Sequence, residues 1–117
     1  MVKPGDIVIA NILDPDGNPC SHSRPVMVLR ASLEAANAWV VGISTKFSDP
    51  PQLHWLLLPF ECEGHPITGL RCRCVLKCNW VQLLPTSSLS APIGSVPLDL
   101  FSKAIDFVLI EVARNKK

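Results

Sequence analysis

The sequence has little of what identifies membrane, secreted and polyanion-binding chains. No apolar run approaches the roughly 18 residues that a membrane-spanning helix needs. The first residues contain no apolar segment of the signal-peptide type. Charge is also scarce, since 18% of the residues are charged and the formal net charge is +1. Any site for a polyanion must therefore be a local cluster of cations. These absences predict a cytoplasmic protein that does not enter a membrane.

Cysteine is present without the pattern of a disulfide framework or a zinc site. The five cysteines are an odd number, in a chain for which we expect a reducing compartment. Cys72, Cys74 and Cys78 have the spacing C-x-C-x3-C, with no C-x2-C half, whereas structural zinc sites usually combine such pairs. We interpret the three residues as buried, reduced thiols on one face of a strand, with a metal site as the alternative. We predict no metal and no cofactor.

What the sequence does contain is apolar residues in short runs, separated by 11 prolines and six glycines. The hydrophobic content of 48% over 117 residues suits one domain that covers residues 1–117. Apolar runs at residues 7–13, 26–29, 39–45, 54–58 and 70–84 predict five strands. Residues 98–113 have the three-and-four spacing of an amphipathic helix, and Ser95 is a suitable cap. We expect a mainly β fold, a small half-open barrel with a C-terminal helix. The predicted apolar stripe of this helix comprises Leu98, Phe101, Ile105, Val108, Leu109 and Val112.

The predicted fifth strand alternates between a core-like face and a basic face. The core-like set is Cys72, Cys74, Leu76, Cys78 and Trp80. The other set includes Arg71, Arg73, Val75, Lys77 and Asn79. A row of three cations along one strand is either a solvated edge or a track for phosphates, and the sequence leaves both readings open. We interpret the three tryptophans, Trp39, Trp55 and Trp80, as core or dimer-interface residues rather than base-stacking platforms.

Arg24 is a further candidate for contact with an anion. It precedes Pro25 and the apolar run at residues 26–29. Proline fixes φ and has no N–H, so it belongs at the first residue of a strand. Arg24 is therefore either a surface residue at the mouth of a strand or a functional group on a rigid support.

Taken in order along the chain, several short motifs resemble the MazF/PemK family, the ribonuclease toxins of bacterial toxin–antitoxin pairs. These motifs are Pro4-Gly5-Asp6-Ile7-Val8, Asp14-Pro15 with Gly17, Arg24-Pro25-Val26-Met27-Val28-Leu29, Gly42-Ile43-Ser44, Gly69-Leu70, Val75-Leu76-Lys77-Cys78-Asn79 and Ile93-Gly94. The resemblance implies an SH3-like, half-open barrel of the MazF/CcdB type. It also implies a homodimer, metal-independent cleavage of single-stranded RNA such as mRNA through a 2′,3′-cyclic phosphate, and an antitoxin partner that covers the RNA groove. We expect no DNA ligand.

Cleavage of RNA without a metal needs few groups. One group takes the proton of the 2′-hydroxyl, one protonates the leaving 5′-oxygen, and a donor stabilises the charge that grows on the phosphate. By resemblance, Arg24 matches the arginine that binds the phosphate and serves as the acid. Ser44 falls where most members have a threonine, whose hydroxyl can hold a phosphate oxygen. Thr45 is the second choice, because on a strand it would face the other way.

The chain departs from the family pattern at the site itself. Lys77-Cys78-Asn79 stands where PemK-type members have Arg-Cys-Asp, with the Arg as acid and the Asp as base. Lysine can keep a phosphate contact but loses the bidentate fork of arginine, and asparagine cannot serve as a general base. The first long loop also lacks the family's glutamate. His22 lies in this loop, and because histidine exchanges protons near neutral pH it is a candidate base.

The predicted catalytic residues are therefore Arg24, Ser44, His22, Lys77 and Asn79. The predicted RNA-binding residues are Arg24, Thr45, Lys46, Arg71, Arg73 and Lys77. Two other functions stay open at this point. The missing carboxylates fit a degenerate member that binds RNA or a protein partner without cleavage. A CcdB-like topoisomerase poison would share the fold class.

Overall fold

The fold is described from a computed structural model, which covers residues 2–13, 17–18, 22–32, 34–47 and 54–115. Within these residues the chain forms six strands, a short 3-10 turn and one long helix. The strands are β1 (Asp6–Ala10), β2 (Arg24–Ser32), β3 (Asn37–Ser44), β4 (Trp55–Leu57), β5 (Val75–Pro85) and β6 (Gly94–Ser95). The 3-10 turn covers Thr86–Ser88, and helix α1 covers Leu98–Asn115.

The strands pair in one antiparallel sheet with the order β4-β5-β3-β2-β1-β6. Strands β4 and β6 are its edges, and no pairing joins them within the described residues, so the barrel is half-open. The mainly β prediction with a C-terminal helix is confirmed. The sequence pattern did not predict β6, because a two-residue strand carries no periodic signal.

The sheet buries apolar side chains on both of its faces, because successive residues of a strand point to opposite sides. On one face, Ile7, Met27 and Leu76 pack with Ala104 and Val108 of α1, and we call this the helix face. The opposite face, which we call the open face, carries a second cluster. Its buried members are Val8, Ala10, Ile12, Val26, Val28, Ala38, Val40 and Trp80.

A bulge interrupts the pairing of β3 with β5. Val41 pairs with Val81, whereas Ile43 pairs with Leu76, so β5 contributes more residues than β3 across this interval. Such a bulge changes which face the following residues of a strand occupy. The expectation that Trp80 shares a face with Leu76 is therefore wrong, since Trp80 packs in the cluster of the open face and Leu76 in that of the helix face.

Helix α1 begins later than its predicted cap. Ser95 lies in β6, and the first helical hydrogen bond runs from the N–H of Phe101 to the carbonyl of Pro97, at 2.9 Å. The cap position is therefore Pro97, and the assignment of Ser95 was wrong. The described residues contain no helix that is long and apolar enough to cross a membrane.

The buried face of α1 is rotated relative to the predicted stripe. Val108 and the partly buried Phe101 of that stripe pack in the helix-face cluster, together with Ala104 and the partly buried Phe107, which the prediction left out. Leu98, by contrast, is 82% exposed and Leu109 is 62% exposed. Ala104 is fully buried in this contact, and a count of large apolar residues does not detect so small a side chain.

Candidate functional site

The candidate site lies on the open face, where the start of β2 meets the end of β3 and the start of β5. Arg24 is the first residue of β2 and pairs with Ala10. On the other side of β2, Val26 pairs with Gly42, and the same register continued by two residues brings Arg24 level with Ser44. Three strands thus place the residues that the sequence analysis had selected from separate motifs side by side.

Two cations lie near each other at this place, Arg24 and Lys77. Partial burial and the nearby charge of Arg24 lower the pKa of Lys77 below its usual range. The Nε of Arg24 is buried and has no hydrogen-bond partner among the described residues. Neither cation forms an ion pair with a carboxylate in the part of the chain that the structure describes. Like charges held close together disfavour their charged forms unless an anion lies between them, so this arrangement suits a bound anion.

Trp55 of the edge strand β4 contacts two of the predicted residues. It pairs with Lys77 in the ladder between β4 and β5, and the Nζ of Lys77 lies 4.3 Å from the centroid of the Trp55 ring. The indole Nε1–H donates a hydrogen bond to the Oδ1 of Asn79, at 3.0 Å. Sequence reasoning missed Trp55 as a site residue, because its neighbours depend on the register of β4 against β5.

Ser44 was ranked above Thr45 as a phosphate contact, but Ser44 is the buried residue of the two. Ser44 is 6% exposed. Its Oγ accepts the N–H of Lys46 at 3.0 Å and donates to the carbonyl of the same residue at 3.3 Å. These bonds end β3 in a local turn and occupy the hydroxyl. Thr45 and Lys46 follow the strand and are exposed.

The other two predicted cations do not lie on a strand. Strand β5 begins at Val75, so the prediction of one continuous strand over residues 70–84 was wrong in its first five residues. Arg71 and Arg73 are exposed in the preceding connection. The guanidinium of Arg73 stacks on Phe47, 5.0 Å from the ring centroid. Of the three predicted cations, β5 itself carries Lys77.

The connection between β1 and β2, which carries His22, forms hydrogen bonds near both of its ends. The Oγ of Ser23 donates to the Oδ1 of Asn11 at 2.9 Å, and the carbonyl of Leu13 accepts the Nε1–H of Trp80 at 2.8 Å. His22 is exposed and makes no hydrogen bond within the described residues. Residues 14–16 and 19–21, which include the Asp14-Pro15 motif, lie outside the described residues. His22 as the base stays a prediction.

A polar pair, His54 and Glu111, links the residue before β4 to helix α1. The Nδ1 of His54 lies 2.6 Å from the Oε1 of Glu111 on α1, and the two side chains are 9% and 15% exposed. The His54 ring also packs against Phe107, with centroids 4.9 Å apart. His54 and Glu111 are 57 positions apart in the sequence, so no local pattern could have paired them. The pair holds the residue before Trp55 against the helix.

The cysteines divide into two classes. Burial raises the pKa of Cys74 to about 11 and that of Cys78 to about 12, with smaller contributions from Cys72 and Glu111 respectively. The reading as buried, reduced thiols is confirmed for Cys74 and Cys78. It was wrong for Cys72, which is exposed, as is Cys62. The described residues contain no group of three metal-ligating side chains close enough to hold an ion.

Thiol labelling should separate these two classes. Only the thiolate reacts, and burial both blocks access and keeps the thiol protonated. With Ellman's reagent or iodoacetamide near neutral pH, we expect Cys62 and Cys72 to react in the native protein and Cys74 and Cys78 to react only after unfolding. Peptide mass spectrometry identifies the labelled positions. Rapid native labelling of Cys78 would contradict the packing of the helix face.

The three tryptophans have three different environments. Trp80 is 7% exposed and belongs to the core, as predicted. Trp39 is 46% exposed on β3. Trp55 is half-buried and contacts the candidate site.

Comparison by sequence finds no matching family model and no matching curated protein. Solved structures do match. MazF from Deinococcus radiodurans superposes with a TM-score of 0.74 at 14% identity, over 96% of this chain and 96% of that chain. A mycobacterial endoribonuclease solved in complex with its cognate antitoxin superposes with a TM-score of 0.71 at 10% identity, over 97% and 96%. The Mycobacterium tuberculosis toxin MazF-mt6 gives 0.68 at 18% identity, over 92% and 96%. At these identities the likeness establishes a shared fold.

Proposed function

We propose that this chain, which has the fold of the MazF toxins, is the toxin of a bacterial toxin–antitoxin pair and cleaves single-stranded RNA without a metal. One observation carries the proposal. The buried Nε of Arg24 is unpartnered, and Lys77 lies nearby with its pKa lowered. Two cations in this arrangement are stabilised by a phosphodiester, whose single negative charge attracts both.

In this proposal the reaction is an attack of the 2′-oxygen on the adjacent phosphorus. The bond between phosphorus and the 5′-oxygen breaks, which leaves a 2′,3′-cyclic phosphate and a 5′-hydroxyl. Arg24 donates hydrogen bonds to the phosphate oxygens, and Lys77 adds a second positive charge as negative charge grows on them. His22, in the connection that ends at Arg24, is the candidate base that takes the proton of the 2′-hydroxyl. Arg24 is the candidate acid that protonates the leaving 5′-oxygen.

Asn79 acts in this proposal as a donor. Its Oδ1 already accepts the indole N–H of Trp55, at 3.0 Å. An amide has one oxygen acceptor and one nitrogen that donates, so the Nδ2 of Asn79 is the end that remains for the substrate. An amide N–H can bind a phosphate oxygen or a base, but it takes no proton from the 2′-hydroxyl.

The proposal includes the partners that the fold suggests. We propose a cytoplasmic homodimer and an antitoxin protein that occupies the open face. MazF from D. radiodurans has been solved together with MazE, and the mycobacterial endoribonuclease was solved with its cognate antitoxin. An acidic antitoxin segment would place carboxylates beside Arg24 and Lys77, where the described residues supply none.

Cleavage of a long single-stranded RNA in the presence of EDTA tests the proposal. We expect fragments that end in a 2′,3′-cyclic phosphate and begin with a 5′-hydroxyl, mapped by primer extension and by end-specific labelling. Duplex RNA and single-stranded DNA of the same sequence serve as controls and should remain intact. Absence of cleavage at every protein concentration, together with normal growth of cells that express the chain, would contradict the proposal.

A second candidate function follows from Asn79, which stands where PemK-type members have a base and whose oxygen is occupied by Trp55. A chain without a competent base would bind single-stranded RNA and leave it intact. The same assay, run beside a measurement of RNA binding by fluorescence anisotropy, separates the two functions. Binding without fragments supports this second candidate.

A further inference from the structure

We propose that Trp55 is a positioning residue of the candidate site, whose ring seats the ammonium of Lys77 and whose N–H orients the amide of Asn79. This inference rests on the proposed function. It adds to it a residue that neither the motifs nor the resemblance includes. In this proposal the Trp55 side chain of edge strand β4 holds two donors of β5, the ammonium of Lys77 and the amide of Asn79, in fixed positions near Arg24.

The first contact is between Lys77 and the ring. The Nζ lies 4.3 Å from the ring centroid, within the range of a cation–π interaction. A lysine side chain otherwise samples many rotamers, and the charge of Arg24 acts on it from nearby. Attraction to the indole face offsets this repulsion and keeps the ammonium on the open face.

The second contact fixes Asn79. The indole N–H can only donate, so its bond of 3.0 Å to the Oδ1 sets which end of the amide faces outward. Asn79 is exposed and would rotate freely without this bond. A single side chain thus determines the direction of one cation and one neutral donor, which lie two residues apart on β5.

The position of Trp55 is supported by the residue before it, His54. Strand β4 has three residues, and so short an edge strand has little pairing of its own. The residue before it, His54, takes a left-handed backbone conformation with φ of 68°. The carbonyl of His54 accepts the N–H of Cys78 at 3.4 Å, and its ring is bound to Glu111 at 2.6 Å. Helix α1 therefore anchors the strand that presents the indole ring.

Variants of Trp55 test this role in the RNA cleavage assay. Trp55→Leu removes both contacts, and we expect kcat/KM to fall by about tenfold, the combined scale of a half-buried cation–π contact and a hydrogen bond. Trp55→Phe keeps a ring for Lys77 and should recover most of this loss. The control, Phe60→Leu, changes an exposed aromatic side chain outside the candidate site and should stay within about twofold of the wild type.

A double-mutant cycle separates positioning from general stability. Lys77→Met removes the ammonium and keeps the apolar stem. In that background Trp55→Leu should lower kcat/KM much less than in the wild type, because the group that the ring positions is gone. A purely structural role of Trp55 would give equal losses in both backgrounds, and that result would overturn the inference.

The contact can also be measured without activity. The Cε and Hε resonances of Lys77, assigned through Lys77→Arg, should show an upfield ring-current shift in the wild type. The shift should persist in Trp55→Phe and disappear in Trp55→Leu. Absence of the shift in the wild type would overturn the inference, whatever the protein does to RNA.

Failure of the wild type both to cut and to bind RNA would instead contradict the proposed function. The resonance of Lys77 would still decide whether the ring of Trp55 contacts its side chain.

Discussion

Replacement of Arg24 by alanine is expected to reduce RNA cleavage at least about a hundredfold, the scale of losing a donor that stabilises transition-state charge. The melting temperature should stay unchanged or rise slightly. A structural arginine would be paired, whereas Arg24 has a buried, unpartnered Nε and stands near Lys77. Its removal therefore relieves repulsion in the free protein and costs affinity only when a phosphate is bound. Rates of RNA cleavage and thermal unfolding curves measure the two effects.

Two further variants make this prediction specific. Arg30→Ala removes an exposed arginine from the same strand and should change cleavage by no more than about twofold. Arg24→Lys keeps the charge but loses the bidentate fork, so we expect an intermediate rate. If Arg24→Ala cleaved RNA as fast as Arg30→Ala does, Arg24 would have no place in the site.

Replacement of Gly42 by alanine is expected to destabilise the protein by about 3 kcal/mol or more, the upper range for overpacking a core. An added Cβ at Gly42 would lie 2.1 Å from the Cε3 of Trp80. The indole ring cannot move away easily, because Trp80 is 7% exposed and its N–H donates to the carbonyl of Leu13 at 2.8 Å. Chemical denaturation of both proteins gives the difference in the free energy of unfolding.

Gly17→Ala is the control for this prediction. Gly17 has a φ of +88°, and no heavy atom of the described residues lies within 4 Å of its added Cβ, so we expect the substitution to cost only the backbone strain, about 1 kcal/mol. Gly42, by contrast, does not need a left-handed φ, and its cost is steric. Equal losses for the two variants would mean that the ring of Trp80 does not cover β3. Cleavage per folded molecule is a separate readout and does not enter this comparison.

Much of the fold could be predicted because its signals are local. Short apolar runs located β2 and β3, and the three-and-four spacing located α1. Pro25 predicted the start of a strand, because its missing N–H disfavours the strand interior. Strand β2 begins one residue earlier, at Arg24, and Pro25 pairs with Ile9 as its second residue. The bounds were less accurate where polar and apolar residues mix, as in the segment before Val75.

The candidate site was predictable only in part. Arg24 and Lys77 were named from motifs, and the structure places them close together. The pairing of β4 with β5 puts Trp55 in contact with Lys77 and Asn79. The spacing of residues within either strand does not predict this pairing. Ser44 was selected for its hydroxyl, and the local turn that occupies this hydroxyl was visible only in three dimensions.

By itself, the sequence determined the class of fold, the succession of the main strands along the chain and the candidate cations for an anion site. The tertiary structure alone decided which of those cations meet, which face Trp80 occupies, and which side chain supports Lys77. The physical reason is the difference between period and register. The period of a strand or helix depends on neighbours two to four positions away, whereas register depends on bulges and edge pairings between distant segments.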